Sequence, residues 1–457
     1  MKRRAFIRKT GLGVSAGLVS SSFLASCKAK GAADSLVSSQ KIAIVGAGAA
    51  GLYAATLLPG QEVTIFEATD KPGGRIRALK GFADFDLEAG SEEIKGKNSI
   101  WYDWVSNFNL SFVDNKGSQN YYTLDTVLRK ESDLAMNPDF QAINDFINQA
   151  TIYNGADRTV LAHLQQSRVP PRVYHVVNAI LGNENGTSQN KISIKGLAEA
   201  NQTASAGKDV FRLAGRTFNS VLEERCKAEL LKVKYNTPIQ RVVYDTMGVV
   251  LFDAAGIRYQ FDKVIMTLPV SLYQNDDIIF SPPLPQTKVD AFKKIGMGAG
   301  MKIIMSFSRA FWPADADSIF GRGVVPEYVV ASRGRSTTNF ILSATVMGDP
   351  ATAFGTRPAT IISSILADLD SLFGRNAAST TLLKYQIIDW SQEPFTKGAY
   401  SYPIVGGGLA ANRELAQPLL GRLFFAGEAT HFGGHAGTVH GAMESARRAV
   451  EEVLRPG

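Results

Sequence analysis

The sequence predicts an α/β protein in which a doubly wound parallel-sheet domain is interleaved with an α+β domain, and three observations carry that prediction. A short apolar strand from Lys41 to Val45 runs straight into Gly46-Ala47-Gly48-Ala49-Ala50-Gly51 and then into an apolar helix from Leu52 to Leu58. A second strand, Glu62 to Phe66, ends on Glu67, about 20 residues after Gly46. Far downstream, short β-branched stretches between Lys232 and Pro269 supply further strands. The length of 457 residues suggests two or three folding units. A content of 45% hydrophobic and 20% charged residues suits a chain with a substantial core and excludes a disordered one.

The chain opens with a segment that reads as an address. Lys2, Arg3, Arg4, Arg8 and Lys9 precede a mild apolar run from Gly11 to Ala25, too short and too rich in Gly and Ser to span a membrane. Arg3-Arg4 followed by Phe6 resembles a twin-arginine export signal, and Leu24-Ala25-Ser26-Cys27 resembles a bacterial lipobox. Residues 1–26 are thus expected to be an export signal, Cys27 a lipidated anchor on a membrane, and 27–39 a linker. That places the protein in the periplasm or at the cell surface. The five leader cations account for most of the formal charge of +7, so the body is close to neutral. A near-neutral body has no footprint for nucleic acid. The second cysteine, Cys226, reads as a packing residue.

The glycine turn has a mechanical meaning. Gly46 permits a tight turn, Gly48 lets backbone approach a pyrophosphate, and Gly51 lets the helix pack on the strand. With Ala49 and Ala50 they present a helix N-terminus, which attracts phosphate. Glu67, followed by Ala68, can accept hydrogen bonds from a ribose diol and would repel a 2′-phosphate. Strand, turn and helix are the context this pattern requires.

Two further stretches choose the cofactor. Lys71-Pro72-Gly73-Gly74-Arg75-Ile76-Arg77 follows the second strand, with glycines for close approach and arginines for phosphate. Gly421-Arg422-Leu423-Phe424-Phe425-Ala426-Gly427-Glu428-Ala429-Thr430-His431 lies near the other end, before Gly437-Thr438-Val439-His440-Gly441-Ala442 and a helix expected from Ala442 to Leu454. Here the chain resembles the flavin-containing amine oxidase family. The resemblance implies FAD, with Gly74 and Arg75 at its phosphates and Arg77 a second candidate there. It puts Glu428 on the sugar-phosphate chain, with Gly427, Thr438 and Val439 near the flavin. Phe85 to Ile94 resembles the stretch that lines the flavin. A twin-arginine route moves folded cargo, so FAD can be loaded before export. His431, His435 and His440 have no acidic ligand pair in their glycine-rich segment, so no metal is expected.

The same resemblance assigns the middle. Lys232 to Val243 reads as a strand with an irregular step, and Ile239 is placed at the adenine end. Lys302, in the strand before Phe311-Trp312, matches the family lysine that holds a water at flavin N5; such a cation favours electron transfer to dioxygen. Tyr400 matches one wall of the aromatic cage beside the flavin. Ala399 stands where some members carry a cysteine bonded to FAD, so the cofactor is expected to be noncovalent. Thr438 stands at the second cage wall, often aromatic, and resembles the lysine-demethylating members. Residues from about 101 to 204 look helical, with apolar periodicity over Leu134–Ala150 and Arg172–Leu181.

The expected division is 40–100, 205–272 and 395–457 for the FAD domain, Rossmann-like, and 101–204 and 273–394 for the substrate domain, with a helical insert at 130–200. The expected reaction is hydride loss from the carbon beside a neutral amine to FAD, giving an imine, then a carbonyl compound, with dioxygen reduced to hydrogen peroxide. Two other readings remain at this point. One is a desaturase or protoporphyrinogen oxidase-like enzyme on the same scaffold. The other is a flavin-binding lipoprotein without turnover.

Overall fold

The computed structural model describes residues 39–108 and 110–455; the expected leader and Cys27 lie outside them. A five-stranded parallel sheet has β1 (Lys41–Val45) at its centre. β2 (Glu62–Phe66) and then Val233–Lys234 lie on one side, and Lys263–Met266 and then Leu423–Phe425 on the other. Three distant stretches of sequence therefore build one sheet. Four of the five β1 residues are buried, as a strand covered on both faces requires.

Helix α1 (Ala49–Thr56) and the C-terminal helix Val439–Leu454 cover one face, burying Ile42, Ile44, Leu52, Met443 and Val450 together. The fully buried Cys226 belongs to this core, and burial pushes its thiol up to about 12, so it packs and does not react. A four-stranded sheet (Arg258–Phe261, Val249–Asp253, Ile239–Tyr244, Ile279–Ser281) covers the other face through Val242 and Leu251.

The irregular step expected between Lys232 and Val243 is a change of sheet. Asn236 takes a left-handed φ of 52°, which a short amide side chain tolerates. Val233–Lys234 then stays with the parallel sheet while Ile239–Tyr244 joins the four-stranded one.

A seven-stranded sheet forms the second unit, in the order Leu382–Asp389, Gly300–Phe307, Phe340–Met347, Tyr328–Val330, Ala316–Phe320, Gln119–Thr123 and Leu128–Lys130. Its last two strands correct the expectation that residues 101–204 are helical. Gln119–Thr123 pairs in parallel with Ala316–Phe320, a non-local contact that periodicity cannot show. Helix Ile100–Ser106 also departs from the expected boundary at residue 100, because Ile100, Trp101 and Val105 pack into the dinucleotide core.

The helix expected over Leu134–Ala150 runs from Pro138 to Ala150, capped by Asn137, after a 3₁₀ turn at Glu131–Leu134. The stretch 172–181 is not one helix. A 3₁₀ turn at Pro171–Val173 and an α turn at Tyr174–Val177 lead into a widened π turn at Asn178–Gly182. Such turns often mark functional sites, and this one delivers Asn183 and Glu184 to the cavity described next. Among the described residues no helix is long and apolar enough to cross a membrane.

Candidate active site

A cavity of about 900 Å³ lies between the carboxyl ends of the parallel strands and the seven-stranded sheet. The crevice at the carboxyl ends of parallel strands is the expected place for a nucleotide. Gly46, Gly48, Ala49, Ala50, Glu67, Ala68, Gly74, Arg75 and Ile239 line one end; Lys302, Tyr400, Gly427, Glu428, Thr438 and Val439 line the rest. Gly51 does not reach the wall. A Cβ on it would stand 1.9 Å from the Gly46 carbonyl oxygen, so it lets α1 lie against the turn.

The nucleotide end fits FAD. Gly48, the N-cap of α1, supplies no side-chain cap, so the first turn of the helix opens into the cavity with its N–H groups uncovered by any side chain. A Cβ on Gly74 would approach the Gly48 Cα at 3.7 Å, so the two glycine turns form one narrow cradle. Glu67 accepts the Ala47 N–H at 2.9 Å through Oε2, and the Thr69 N–H and hydroxyl at 2.9 and 2.8 Å through Oε1. These bonds fix its orientation, and a carboxylate with about four lone-pair sites keeps room for a ribose hydroxyl.

Glu428 does more inside the protein than its expected contact with a sugar-phosphate chain. Its Oε1 meets Arg75 Nη1 at 2.8 Å and accepts the Ser401 N–H at 3.3 Å. Its Oε2 accepts the Ser401 hydroxyl at 2.5 Å and the Gly437 N–H at 2.8 Å. One carboxylate thus joins the Gly-Gly-Arg turn, the Ser401–Pro403 strand that follows Tyr400 and the start of the last helix. Burial opposes its ionisation, but the Arg75 charge and these hydrogen bonds together hold it below the usual carboxylate range. Arg77, the second phosphate candidate, also lines the cavity. It pairs with Glu393 at 2.5 Å and lies 4.5 Å over the Trp390 ring.

At the opposite end Lys302 sits mid-strand, paired across to Thr345 and Ile388, and is only 4% exposed. Its Nζ lies 2.8 Å from Glu92 Oε2 and 3.4 Å from the Gly90 carbonyl oxygen. A buried ammonium needs such a counter-charge, and Glu92 was not singled out by sequence reasoning. The Ser91-Glu92-Glu93 run beside a glycine was the available signal.

Tyr400 donates its hydroxyl to the Glu184 carbonyl oxygen at 3.0 Å. Its ring sits between two glycines: a Cβ on Gly186 would come within 2.8 Å of it and one on Gly437 within 3.1 Å. Thr438 is the N-cap of the last helix, which begins at Val439, not Ala442. Its Oγ1 accepts the Gly441 N–H at 3.0 Å and donates to the His435 carbonyl oxygen at 2.7 Å. The hydroxyl is therefore committed to capping, although the residue faces the cavity.

Farther along, the wall mixes charges, and Lys95 lies by Glu93 there. Asp317 is paired with Arg212, and Glu92 with Lys302. Glu327 also lines the cavity. Burial, opposed by a hydrogen bond from Ser318 and reinforced by the charges of Glu93, Glu92 and Asp317, pushes the Glu327 carboxyl up to about 7.

The histidine segment is corrected as well, because an acid does complete a set: Glu444, one turn into the last helix, lies with His431 and His435 inside 4.8 Å. His431 Nδ1 accepts the Gly433 and His435 N–H groups, leaving its proton on Nε2, 2.9 Å from Glu444 Oε2. His435 Nε2 accepts the Ser205 and Ala206 N–H groups, leaving its proton on Nδ1, 2.6 Å from the same oxygen. Two N–H groups therefore converge on one carboxylate where a metal would need lone pairs. Burial works against Glu444, yet these bonds hold its carboxyl far below the usual range.

A parallel dinucleotide sheet, a cradle for a pyrophosphate and an adjoining cavity with a buried lysine define a flavoprotein oxidoreductase. The chain belongs to the family of flavin containing amine oxidoreductases, whose model matches residues 214–454. A model of an NAD(P)-binding Rossmann-like domain matches residues 44–103. The cofactor is accordingly FAD, and Ala399, buried at the cavity wall without a nucleophile, leaves it noncovalent.

Human lysine-specific histone demethylase 2 is 25% identical over 451 residues, covering 91% of this chain and 53% of that protein. The histone demethylase-like protein A of Aspergillus fumigatus is 33% identical over 247 residues, covering 49% of this chain and 22% of that protein. The chain spans about half the length, or less, of these curated relatives. Among solved structures, a cofactor-site variant of putrescine oxidase superposes with a TM-score of 0.78 at 21% identity, covering 91% of this chain and 99% of that one. Cyclohexylamine oxidase from Brevibacterium oxydans gives 0.75 at 19% identity, covering 92% and 100%. At these identities the two structures show a shared fold.

Proposed function

We propose that this chain oxidises a small amine carrying a second positive charge, giving an imine that hydrolyses to a carbonyl compound, with dioxygen reduced to hydrogen peroxide. The observation that carries the reading is that one cavity joins the nucleotide cradle, Tyr400 and the Lys302–Glu92 pair to a far wall that carries Glu327. When bound, FAD supplies the hydride-accepting chemistry, which side chains cannot provide.

The protein's own residues bind and orient. The Tyr400 ring, wedged between Gly186 and Gly437, offers a fixed face to a neutral amine nitrogen and favours positive charge developing there. No side chain is needed as a base for this chemistry. Glu327, surrounded by the carboxylates of Glu93, Glu92 and Asp317, favours a cation at the far end of the substrate. A putrescine oxidase with putrescine bound shares the fold, which agrees with a diamine in a cavity of this shape.

The test is anaerobic bleaching of the purified yellow protein by monoamines, diamines, polyamines and amino acids, followed by peroxide measurement on admitting air. Bleaching by diamines ahead of monoamines of equal length is the expected result. Glu327→Gln should raise KM for the diamine about tenfold, equivalent to ~1.4 kcal/mol, with little change for a monoamine. A protein that no amine bleaches would leave the non-catalytic or desaturase readings in its place.

We propose further that residues 1–26 direct export by the twin-arginine route and that Cys27 carries a lipid anchor. The order of the twin arginines, the apolar run and Leu24-Ala25-Ser26-Cys27 supports this. A Cys27→Ala chain should lose incorporated fatty acid and leave the membrane fraction; unchanged fractionation would refute the anchor.

A further inference from the structure

Both acceptors of the Lys302 ammonium come from one short stretch of chain. An ammonium has three N–H donors. Lys302 Nζ meets Glu92 Oε2 at 2.8 Å and the Gly90 carbonyl oxygen at 3.4 Å, within Gly90-Ser91-Glu92. Two donors directed to that stretch leave the third for the cavity, whose wall Gly90, Glu92 and Lys302 share.

The stretch is pinned in turn to the phosphate end of the site. The Ser91 N–H donates to the Arg75 carbonyl oxygen at 3.2 Å. A Cβ on Gly90 would stand 2.0 Å from that same oxygen and 3.1 Å from the Trp390 ring, so glycine is what lets the two backbones lie this close. Arg75 is itself held by Glu428. The carboxylate that meets Lys302 is therefore placed by the turn that cradles the cofactor, not by the sheet that carries the lysine.

The pair is asymmetric. The Lys302 side chain is 5% exposed and that of Glu92 is 23% exposed. A half-wet carboxylate left alone can draw on water, whereas a buried ammonium left alone cannot, and it gives up its proton instead. The other charged groups around the pair are engaged elsewhere. Glu88 gives its Oε1 to the Phe218 N–H at 2.6 Å, Arg335 turns to the carbonyl oxygens of Ala331 and Leu213, and Asp317 is paired with Arg212. Glu93 lies 4.0 Å from Lys95, and Glu327 is hydrogen-bonded by Ser318.

We propose that Glu92 is the positioning residue for the oxygen half of the reaction: it keeps Lys302 an ammonium and turns its remaining N–H to the place where dioxygen is reduced. This rests on the oxidase reading above. Dioxygen takes two electrons and one proton from the reduced cofactor and a second proton from solvent, and leaves as hydrogen peroxide. The first electron makes an anion of it, and an ammonium already fixed beside it offsets that charge without reorganisation. Lys302 supplies charge and is unchanged at the end. Glu92 acts through Lys302.

The test reduces the FAD-loaded protein photochemically, so that no amine is needed, and mixes it with aerated buffer from pH 6 to 9. Lys302→Met should reoxidise about a hundredfold more slowly than the parent at every pH. Glu92→Gln should be about tenfold slower at pH 9 and recover toward the parent at pH 6, where a buried amine regains its proton. Glu92→Asp, which keeps the charge on a shorter arm, should lose rate without gaining that pH dependence. The double variant Glu92→Gln/Lys302→Met should match Lys302→Met, because no ammonium is left for Glu92 to hold. It leaves no buried charge unpaired, so it tests the proposal even if Glu92→Gln alone does not fold.

Melting temperature gives a readout apart from turnover. Glu92→Gln should melt on the order of 5 °C below the parent at pH 8, and the double variant should regain most of that loss. A Glu92→Gln protein with the parent's reoxidation rate at pH 9, or a double variant slower than Lys302→Met, overturns the proposal. If no amine bleaches the protein yet photoreduced samples show this pattern, the substrate reading fails and the role of Glu92 stands.

Discussion

At Glu428 four donors converge on one buried carboxylate, and the cost of losing it can be argued in detail. Glu428→Gln removes the charge facing Arg75 while keeping the shape. Breaking a buried ion pair costs about 3–5 kcal/mol; because the Arg75 side chain stays 25% exposed, the lower end of that range is expected. The variant should melt earlier and retain less FAD after gel filtration. The pH dependence has a definite sign. The folded carboxyl is held below its ordinary 4.5, so its contribution is fully present above that value and is lost as pH falls below it. The parent should release flavin on acidification below about pH 4.5, and Glu428→Gln should show a flatter acid limb in a pH series of melting temperatures. Equal acid limbs would refute the assignment. Residues of this kind were partly legible. Glu67, Lys302, Tyr400 and Glu428 stood out because each belongs to a motif with its own chemistry. Glu92, Glu88 and Glu327 did not, because their meaning comes from partners far away in sequence: Lys302 across 210 residues for Glu92, and the Phe218 N–H across 130 for Glu88.

Elements show the same division. β1, α1 and β2 were readable because their geometry is local: the glycine turn dictates how close the helix lies to the strand. Gly51→Ala tests that closeness. The added carbon would meet the Gly46 carbonyl oxygen at 1.9 Å and Ile44 Cγ2 at 3.2 Å, and the first of these is backbone that cannot swing away. Overpacking of this sort costs about 1–3 kcal/mol, and it would tilt the uncapped end of α1 from the pyrophosphate. The expected result is a lower denaturation midpoint and weaker FAD binding together; a stable variant with full FAD affinity would show that the close approach is dispensable. What was not readable at this scale depends on long-range pairing. Gln119–Thr123 is a strand because Ala316–Phe320 lies beside it. Its own run, Gln-Asn-Tyr-Tyr-Thr, sits in a region of mostly helical pattern. The start of the last helix was misplaced by one turn because Thr438 was weighed as a cage wall and not as the cap it is.

For the whole molecule, the two units share a small direct core, in which Phe82, Leu87 and Ala89 pack on Ile304, Ile341 and Ile388, and FAD would bridge them across the cavity. The parallel sheet has its own cores, with Ile44, Leu52 and Met443 on one side and Val45, Val242 and Met266 on the other. The seven-stranded sheet has another, built on Ile303, Met305, Leu342 and Leu369. The cavity between them is walled by residues of both, from Gly46 and Glu67 to Lys302 and Thr345. A ligand that binds only the assembled form stabilises it by RT ln(1 + [L]/Kd), about 2.7 kcal/mol at a free concentration 100-fold above Kd. That energy exists only while both walls are in place, so it couples their unfolding. Calorimetry should therefore show one transition for the FAD-loaded protein. Removal of FAD should split it, with the dinucleotide unit melting first because α1 then presents uncapped N–H groups and the Glu67 carboxylate to water without a ligand. Adding FAD back should restore the single transition, with a midpoint that rises with the logarithm of FAD concentration. Identical traces with and without FAD would mean that the two units unfold together through their direct packing, and that the cofactor is a passenger in the cavity.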